Sequence, residues 1–255
     1  MNEDIQNLSY DELKNSLTNA VNTNDIEAVK SLFKHPLIQE DNKYQNFINV
    51  TYALACKEGS LELVELFLTS PEFKLNADIN SGFGKPLLNA AENNHADVIK
   101  YIIFSENFDP NIAIHNDEPI YQSILKEYVD VVECFYSSPQ VKEQFDIFSS
   151  SNSFLECACT FGQFNLVKLL MTSPYLKDDI LEYNIKNALI AACNNKHYDI
   201  VQYLILDCLI EKTEEIEQYL KDKPNSIANN IFTNRELNET LNNKTPYNLN
   251  KKIKV

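Results

Sequence analysis

A short pattern of residue types recurs every 33 to 35 positions along most of this chain. In each copy an acid or amide serves as a marker, and the markers are Glu27, Glu62, Asp97, Asp130, Asn165 and Asp199. Two residues after the marker lies a β-branched residue: Val29, Val64, Ile99, Val132, Val167 or Val201. Seven residues before it lies a small residue: Ala20, Ala55, Ala90, Ser123, Ala158 or Ala192. Ten residues before it lies a large apolar one: Leu17, Tyr52, Leu87, Ile120, Leu155 or Leu189. Columns that stay in step in this way indicate a repeated structural unit.

Each copy is predicted to form two short antiparallel helices. The large apolar and small residues are three apart, so they share one face of the first helix. The second helix begins near the marker acid, which suits the positive end of a helix dipole. It ends before a proline in four copies: Pro36, Pro71, Pro139 and Pro174. The Ser-Pro pairs at 70–71, 138–139 and 173–174 can also open a short extra turn.

A single helix pair cannot bury both of its faces, so the pairs must stack on one another. The sequence therefore predicts an all-α solenoid of stacked antiparallel helix pairs, with about six repeats and a C-terminal cap. The chain has only four glycines, which argues against sandwiches, barrels and nucleotide-binding α/β folds, because their turns need positive φ repeatedly. The predicted repeats span about residues 8–50, 51–85, 86–118, 119–151, 152–186 and 187–205.

Several of these segments resemble the ankyrin repeat family. The family's T-P-L-H-x-A-A opening is matched in part by Pro86-Leu87-Leu88-Asn89-Ala90-Ala91, and its acid-Val-Val second helix by the marker segments. The family's Gly-His turn is matched by Asn94-His95, by Lys196-His197, and by the glycines Gly59 and Gly162. The resemblance covers about residues 8–205 strongly and 240–250 weakly. It implies stacked helix pairs joined by hairpin loops.

The two ends of the chain are expected to lie outside the repeats. Residues 1–7 are predicted to be a disordered N-terminal segment. Residues 206–255 are predicted to be a helical cap with a degenerate last repeat and a short basic tail. Within it Ile210, Ile216, Tyr219 and Leu220 predict an amphipathic helix that ends before Pro224. The asparagine-rich stretch that follows is predicted to be loosely structured. The alternative to a cap is a helix that binds a partner.

The formal net charge of −15 limits the classes of partner. Residues 206–255 hold eight acids and eight bases, so the whole excess lies on residues 1–205. Such a surface repels nucleic acid and anionic membranes. No apolar run approaches a membrane span, and the start of the chain lacks the features of a secretory signal. Six cysteines are too few for a disulfide scaffold. A cytoplasmic location is therefore expected.

The sequence predicts no cofactor, no metal site and no enzyme activity. Cys157-x-Cys159 resembles a metal or redox pair, but Cys56, Cys159 and Cys193 share one repeat column, which favours buried thiols. His95 and His197 occupy the turn position where the ankyrin family prefers histidine, and the resemblance implies a structural role for them. No zinc-ligand spacing and no nucleotide-binding or nucleophile motif occurs.

The ankyrin resemblance implies a concave groove lined by hairpin tips and by the ends of the first helices. Carried over by repeat position, the pre-turn residues are Asn22, Thr23, Lys57, Glu58, Glu92, Asn93, Lys126, Thr160, Phe161, Asn194 and Asn195. The hairpin tips are expected near Phe47, Phe83, His115 and Tyr183. We expect these positions not to be needed for stacking. Phe83 and Phe161 are the predicted anchors, because exposed aromatics are typical interface hot spots. The alternative is that either ring packs against its neighbouring repeat.

The predicted function is that of a scaffold or adaptor whose acidic concave groove binds a protein with a basic or mixed surface. Nucleic acid, membrane and small-molecule substrates are not expected. One alternative, by family analogy, is an effector of an intracellular bacterium that acts on a protein in the host cytosol. Another is an enzyme with its active site in residues 206–255. That segment has no histidine and no obvious acid–base pair, which disfavours catalysis there.

Overall fold

The structure is a computed structural model that describes residues 7–40, 44–71, 73, 75–114, 118–144, 154–172, 178–208, 210–223 and 226–244. The chain divides into two compact units, unit 1 (residues 1–147) and unit 2 (residues 148–255). The regular secondary structure of the described residues is entirely helical. The predicted all-α fold of helix pairs is confirmed. The predicted disordered segment lies outside the described residues except for Asn7.

The helices of unit 1 are α1 (Tyr10–Asn22), α2 (Ile26–Phe33), α3 (Pro36–Glu40), α4 (Gln45–Glu58), α5 (Leu61–Thr69), α6 (Ser81–Glu92), α7 (Ala96–Ile103), α8 (Pro110–Ala113), α9 (Glu118–Leu125), α10 (Val129–Ser137) and α11 (Pro139–Gln144). The helices of unit 2 are α12 (Phe154–Phe161), α13 (Phe164–Thr172), α14 (Asp178–Asn195), α15 (Tyr198–Gln202), α16 (Glu214–Lys221) and α17 (Ile227–Lys244). A π-helical turn, Tyr203–Asp207, continues α15.

Helix pairs stack side by side within unit 1. The first helices α1, α4, α6 and α9 contact one another in that order, and each also contacts the second helix that follows it in the chain. In unit 2, α12 packs against α13 and α14, and α14 packs against α15. The three apolar or small columns of the sequence form the core, since every member is at most 5% exposed. The stacked pairs therefore bury the residues that the repeat pattern singled out.

The turn between the two helices of a pair always contains one residue in the left-handed conformation. These residues are Asn24, Gly59, Asn94, Glu127, Gly162 and Lys196, with φ between 52° and 73°. Asparagine and glycine adopt this conformation most readily, whereas other residues lose about 1–2 kcal/mol there. Their spacing repeats that of the marker acids, so the backbone keeps the period even where the residue type changes.

The residue after the left-handed position caps the second helix in the first two repeats. The Asp25 carboxylate accepts a hydrogen bond of 2.9 Å from the Ala28 amide, and Ser60 Oγ accepts one of 3.4 Å from the Leu63 amide. Ser60 Oγ also donates to Asn24 Oδ1 of the preceding turn, which joins the two repeats. These caps satisfy amides that a helix N-terminus leaves without partners.

The structure at the prolines agrees in part with what the sequence predicts there. α11 opens with Pro139, and Ser138 Oγ accepts a hydrogen bond of 3.4 Å from the Val141 amide, so the extra turn predicted at 138–139 is confirmed. Pro36 opens α3 in the same way. Pro71 lies in a turn rather than a helix. The pair at 173–174 lies outside the described residues.

Asparagine side chains fix the loop that precedes α6. The Asn80 amide nitrogen donates to the Asn107 carbonyl at 2.9 Å, and its oxygen accepts from the Asp109 amide at 2.8 Å. On the other side, Asn49 Oδ1 in α4 accepts from the Asp78 amide at 2.9 Å. The loop is thus held from both neighbouring repeats.

The C-terminal helices pack on the last helix pair of unit 2. α16 buries Ile216 and Leu220 and ends before Pro224, as the amphipathic pattern predicts. The prediction of a loosely structured stretch after α16 is wrong, because residues 227–244 form the 18-residue helix α17. Asparagine has a low helix propensity, but packing overrides it here: Ala228 and Phe232 are buried four residues apart. The predicted degenerate last repeat lies beyond residue 244 and so outside the described residues.

The Arg235 guanidinium fastens α17 to the end of the π-helical turn. Its Nη1 donates to the Ile205 carbonyl at 3.0 Å and to the Ile210 carbonyl at 2.8 Å. Carbonyl groups at the end of a helix lack partners within that helix. Arg235 satisfies one such group, that of Ile205, and the Ile210 carbonyl in the segment that follows, and these bonds hold the mostly polar helix α17 in place.

The turn glycine Gly59 offers a test of the stacking geometry. Its φ is 73°, and a Cβ atom at this position would overlap the imidazole ring of His95 from the next repeat. We expect Gly59→Ala to lower the free energy of unfolding by about 2–4 kcal/mol, from left-handed strain plus the clash. In a His95→Ala background the clash is gone, and the cost should fall to about 1–2 kcal/mol. Urea unfolding followed by circular dichroism measures both values.

Gly82→Ala is the matched control for this cycle. Gly82 has a φ of 60°, but a Cβ atom there would meet only Lys85 Cβ, at 3.3 Å. Its substitution should cost the same with and without His95. Equal costs for Gly59→Ala in the two backgrounds would contradict the close packing of the ring on the glycine.

Candidate partner-binding surface

At three turns, a side chain binds a carbonyl group near the end of the first helix of the preceding repeat. His95 Nε2 lies 2.9 Å from the Lys57 carbonyl oxygen, and His197 Nε2 lies 3.0 Å from that of Thr160. A carbonyl can only accept, so Nε2 carries the proton in both rings. Lys126 Nζ donates to the Glu92 carbonyl at 2.7 Å. The structural role that the resemblance implied for the two histidines is therefore evident in the geometry.

These bonds correct one expectation about the pre-turn residues. Lys57, Glu92 and Thr160 occupy the same repeat column, and their backbone oxygens help to join the repeats. The Lys126 side chain is itself one of the donors. The expectation that these positions are not needed for stacking is therefore wrong for their backbone and for the Lys126 ammonium. Lys57 and Glu92 keep side chains that are not part of these contacts.

Several of the remaining pre-turn side chains bond within their own helix. Asn93 Nδ2 donates to the Asn89 carbonyl at 2.8 Å, Asn195 Nδ2 to Ala191 at 2.9 Å, and Thr160 Oγ1 to Glu156 at 2.8 Å. Such bonds satisfy end carbonyls but hold the side chains loosely at the surface.

Asn194 is engaged by the C-terminal helices. Its Oδ1 accepts hydrogen bonds from the Tyr219 hydroxyl at 2.9 Å and from Lys223 Nζ at 2.7 Å. Asn22, Thr23, Lys57, Glu58 and Phe161 are exposed, and Phe161 exposes 55% of its surface. Of the predicted pre-turn residues, Phe161 thus presents the largest apolar side chain.

Phe83 protrudes from a left-handed turn at the start of α6. The residue is 83% exposed, and Gly82, Phe83 and Gly84 have φ values of 60°, 53° and 81°. A left-handed residue with a side chain costs about 1–2 kcal/mol, and this ring recovers little of it by burial. The neighbouring Asn80 and a hydrogen bond of 3.0 Å from the Ser81 amide to the Asp78 carbonyl hold the turn in place. Burial of the Phe83 ring therefore does not account for this conformation.

The other predicted hairpin tips do not resemble Phe83. Phe47 is only 6% exposed, with its ring centroid 6.1 Å from that of Tyr10, so its assignment as an exposed tip is wrong. α4 begins at Gln45, whereas the regular part of α6 begins only after Gly84, and position 47 is consequently helical. Tyr183 likewise lies inside α14 rather than at a tip. His115 lies outside the described residues.

The exposed charges of unit 1 are distributed unevenly between first and second helices. On the first helices, Asp11, Glu12, Lys14, Lys57, Glu58 and Lys85 are exposed, and the two signs balance. On the second helices the marker acids Glu27, Glu62, Asp97 and Asp130 are all exposed. The first-helix surface of unit 1, defined as the exposed side chains of α1, α4, α6 and α9 with the Phe83 turn, is therefore mixed in charge. It also carries the exposed Val50.

Five of the six cysteines are poorly suited to act as nucleophiles. Cys56 and Cys159 are buried, as the core interpretation predicts, whereas Cys193 is only partly buried. Burial raises the pKa of the Cys56 and Cys159 thiols well above its usual range. Burial also raises the pKa of Cys193, to about 11, and those of Cys134 and Cys208. A thiol must lose its proton to act as a nucleophile. Among the described residues, no group of three or more His, Cys, Asp or Glu is placed to hold a metal ion.

Comparison with known proteins identifies the repeat. The family model for ankyrin repeats, which describes three copies, matches residues 17–114 and 120–216. No curated protein and no solved structure matches the chain. None of the described helices is both long and apolar enough to cross a membrane. The matched segments cover most of the chain and include each turn described above. The chain therefore belongs to the ankyrin repeat family.

Proposed function

We propose that this chain is a scaffold or adaptor that binds a partner protein through the first-helix surface of unit 1. Ankyrin repeats generally act as protein–protein interaction modules. The observation that supports this surface is Phe83, which is 83% exposed in a left-handed turn that its own burial does not stabilise. Strained residues that local packing does not explain tend to occur at functional sites.

The chemistry of the surface indicates the kind of partner. A protruding aromatic ring gains most when it enters an apolar pocket that excludes water. The exposed first-helix charges of both signs favour a partner of mixed surface charge. Phe161 offers a second exposed aromatic in unit 2. We also propose a cytoplasmic location, which the six free cysteines support, since disulfides are rare there.

Replacing Phe83 tests the proposal directly. A photo-crosslinking amino acid at position 83 should first identify the partner by covalent capture. With that partner purified, we expect Phe83→Ala to weaken binding by more than about 1 kcal/mol, roughly fivefold or more in Kd. The helical circular dichroism should not change, because the ring is exposed.

Phe104→Ala serves as the control for this variant. Phe104 is an aromatic residue of unit 1 that is 47% exposed, but it lies at the end of the second helix α7. Its replacement should leave the partner's Kd unchanged. A partner that binds Phe83→Ala as tightly as the original chain would refute the assignment of this surface.

Phe83→Gly separates binding from stability. Glycine adopts a φ of 53° without steric strain, although it loses more conformational entropy on folding. We expect the free energy of unfolding to rise by about 0.5–1 kcal/mol, while partner binding weakens as in Phe83→Ala. Chemical denaturation measures the first effect. A clear loss of stability would indicate that the Phe83 ring contributes to the fold itself.

A further inference from the structure

A cavity of about 310 Å³ lies within unit 2, between its last helix pair and the C-terminal helices. Asn194, Lys196 and Tyr198 line it from the repeat side. Tyr219, Lys223 and the start of α17 line it from the other side. None of the described residues that line it is an acid, although the chain as a whole has a net charge of −15. The cavity is therefore a local exception to the charge of the protein.

Lys223 is held at this cavity by neutral partners. Its Nζ donates to Asn194 Oδ1 at 2.7 Å and to the Tyr219 hydroxyl at 3.0 Å, and it lies 4.3 Å from the centroid of the Tyr219 ring. These contacts fix the ammonium between the last repeat and α16. They do not neutralise its charge, and an ammonium has three donors, of which two are used.

Lys196 adds a second positive charge. It is the left-handed residue of the last turn, with a φ of 64°, and its side chain is exposed. Its ammonium forms no ion pair with any of the residues that the structure describes. Two lysines with no acidic partner therefore line one cavity.

The first turn of α17 supplies further donors to the same cavity. Two amides of this region already have partners. The Asn229 amide donates to Ser226 Oγ at 3.2 Å, and the Asn230 amide donates to the Ser226 carbonyl at 3.1 Å. The amides of Ile227 and Ala228 lie in the first turn, where a helix provides no acceptor, and both residues line the cavity. This end of an 18-residue helix is also the positive end of its dipole. The helix end reinforces the two lysines that define the site.

We propose that this cavity binds a phosphate-type dianion. Two ammonium groups and the amides of Ile227 and Ala228 are donors from which phosphate oxygens accept strongly. A dianion would accept from both lysines at once, whereas a single carboxylate carries half the charge. The ligand is either inorganic phosphate or a phosphoryl group on a side chain of a protein partner. Binding would join the last repeat to the C-terminal helices, because Lys196 and Lys223 lie on opposite sides.

Titration of the full chain with inorganic phosphate at constant ionic strength tests the site. The probe is the shift of the Ile227 and Ala228 amide resonances in nuclear magnetic resonance spectra. We expect saturable shifts, and we expect Lys196→Gln and Lys223→Gln each to weaken binding about tenfold, as loss of one charge-assisted contact implies. Lys14→Gln, which removes the same charge from an exposed site in unit 1, should leave the affinity unchanged.

Lys223 also ties the last repeat to α16, so its replacement can loosen the C-terminal helices. Lys196→Gln breaks no described contact and keeps the test valid in that case. Absence of saturable shifts, or equal affinity in Lys196→Gln, Lys14→Gln and the original chain, would overturn the proposal.

A phosphoserine peptide, its unphosphorylated form and sulfate distinguish the possible sources of the anion. A phosphopeptide that binds tighter than inorganic phosphate, with no binding of the unphosphorylated form, identifies a modified partner as the ligand. Equal binding of phosphopeptide and phosphate identifies the free anion. Equal shifts with phosphate and sulfate at a pH where phosphate is a monoanion, or binding of the unphosphorylated peptide, would contradict selectivity for a phosphate dianion. None of these outcomes depends on the Phe83 surface.

Discussion

Stacking depends on the buried columns of the repeats, and at three turns it is reinforced by a bond between a turn side chain and a carbonyl of the preceding repeat. The last carbonyls of a helix have no partner within that helix. His95, Lys126 and His197 each supply the missing donor from the next repeat. The donor changes from imidazole to ammonium, while the accepting position stays the same. At these three turns the backbone therefore makes the same requirement, which either a histidine or a lysine side chain satisfies.

This arrangement also determines which surface remains for binding. The left-handed turn directs the chain from one helix layer to the other, so the core columns face inward on both helices of a pair. The pre-turn side chains project outward while their carbonyl groups hold the stack. Phe83 lies at the opposite end of its first helix, in a turn held by asparagines from both neighbouring repeats. Rigid support of an exposed aromatic ring reduces the entropy lost when a partner binds it.

Much of the fold could be predicted from the sequence because each copy of the repeat buries the same columns of residues. The columns around Val64 and Ala90 are buried where the periodicity placed them. The failures occurred where one copy departs from the others. The prediction for Phe47 is wrong because α4 begins earlier in its repeat than the regular part of α6 does in the next one. No single residue of the sequence indicates that difference. α17 was missed because its helix depends on Phe232 and Arg235, whose partners are distant in sequence. The engagement of Asn194 by the C-terminal helices is a tertiary contact of the same kind.

The two turn glycines carry a consequence for how neighbouring repeats diverge. Gly59 lies against the ring of His95, and Gly162 lies against that of His197, at distances that leave no room for a Cβ atom. Asn24 has a side chain at the equivalent position, and the next repeat there offers the small Ser60, which bonds to it. A histidine in one turn thus dictates glycine in the turn before it, whereas a serine permits asparagine. In this chain, turn positions a full repeat apart are consequently coupled by steric contact, so a change of residue at one limits which residues fit at the other.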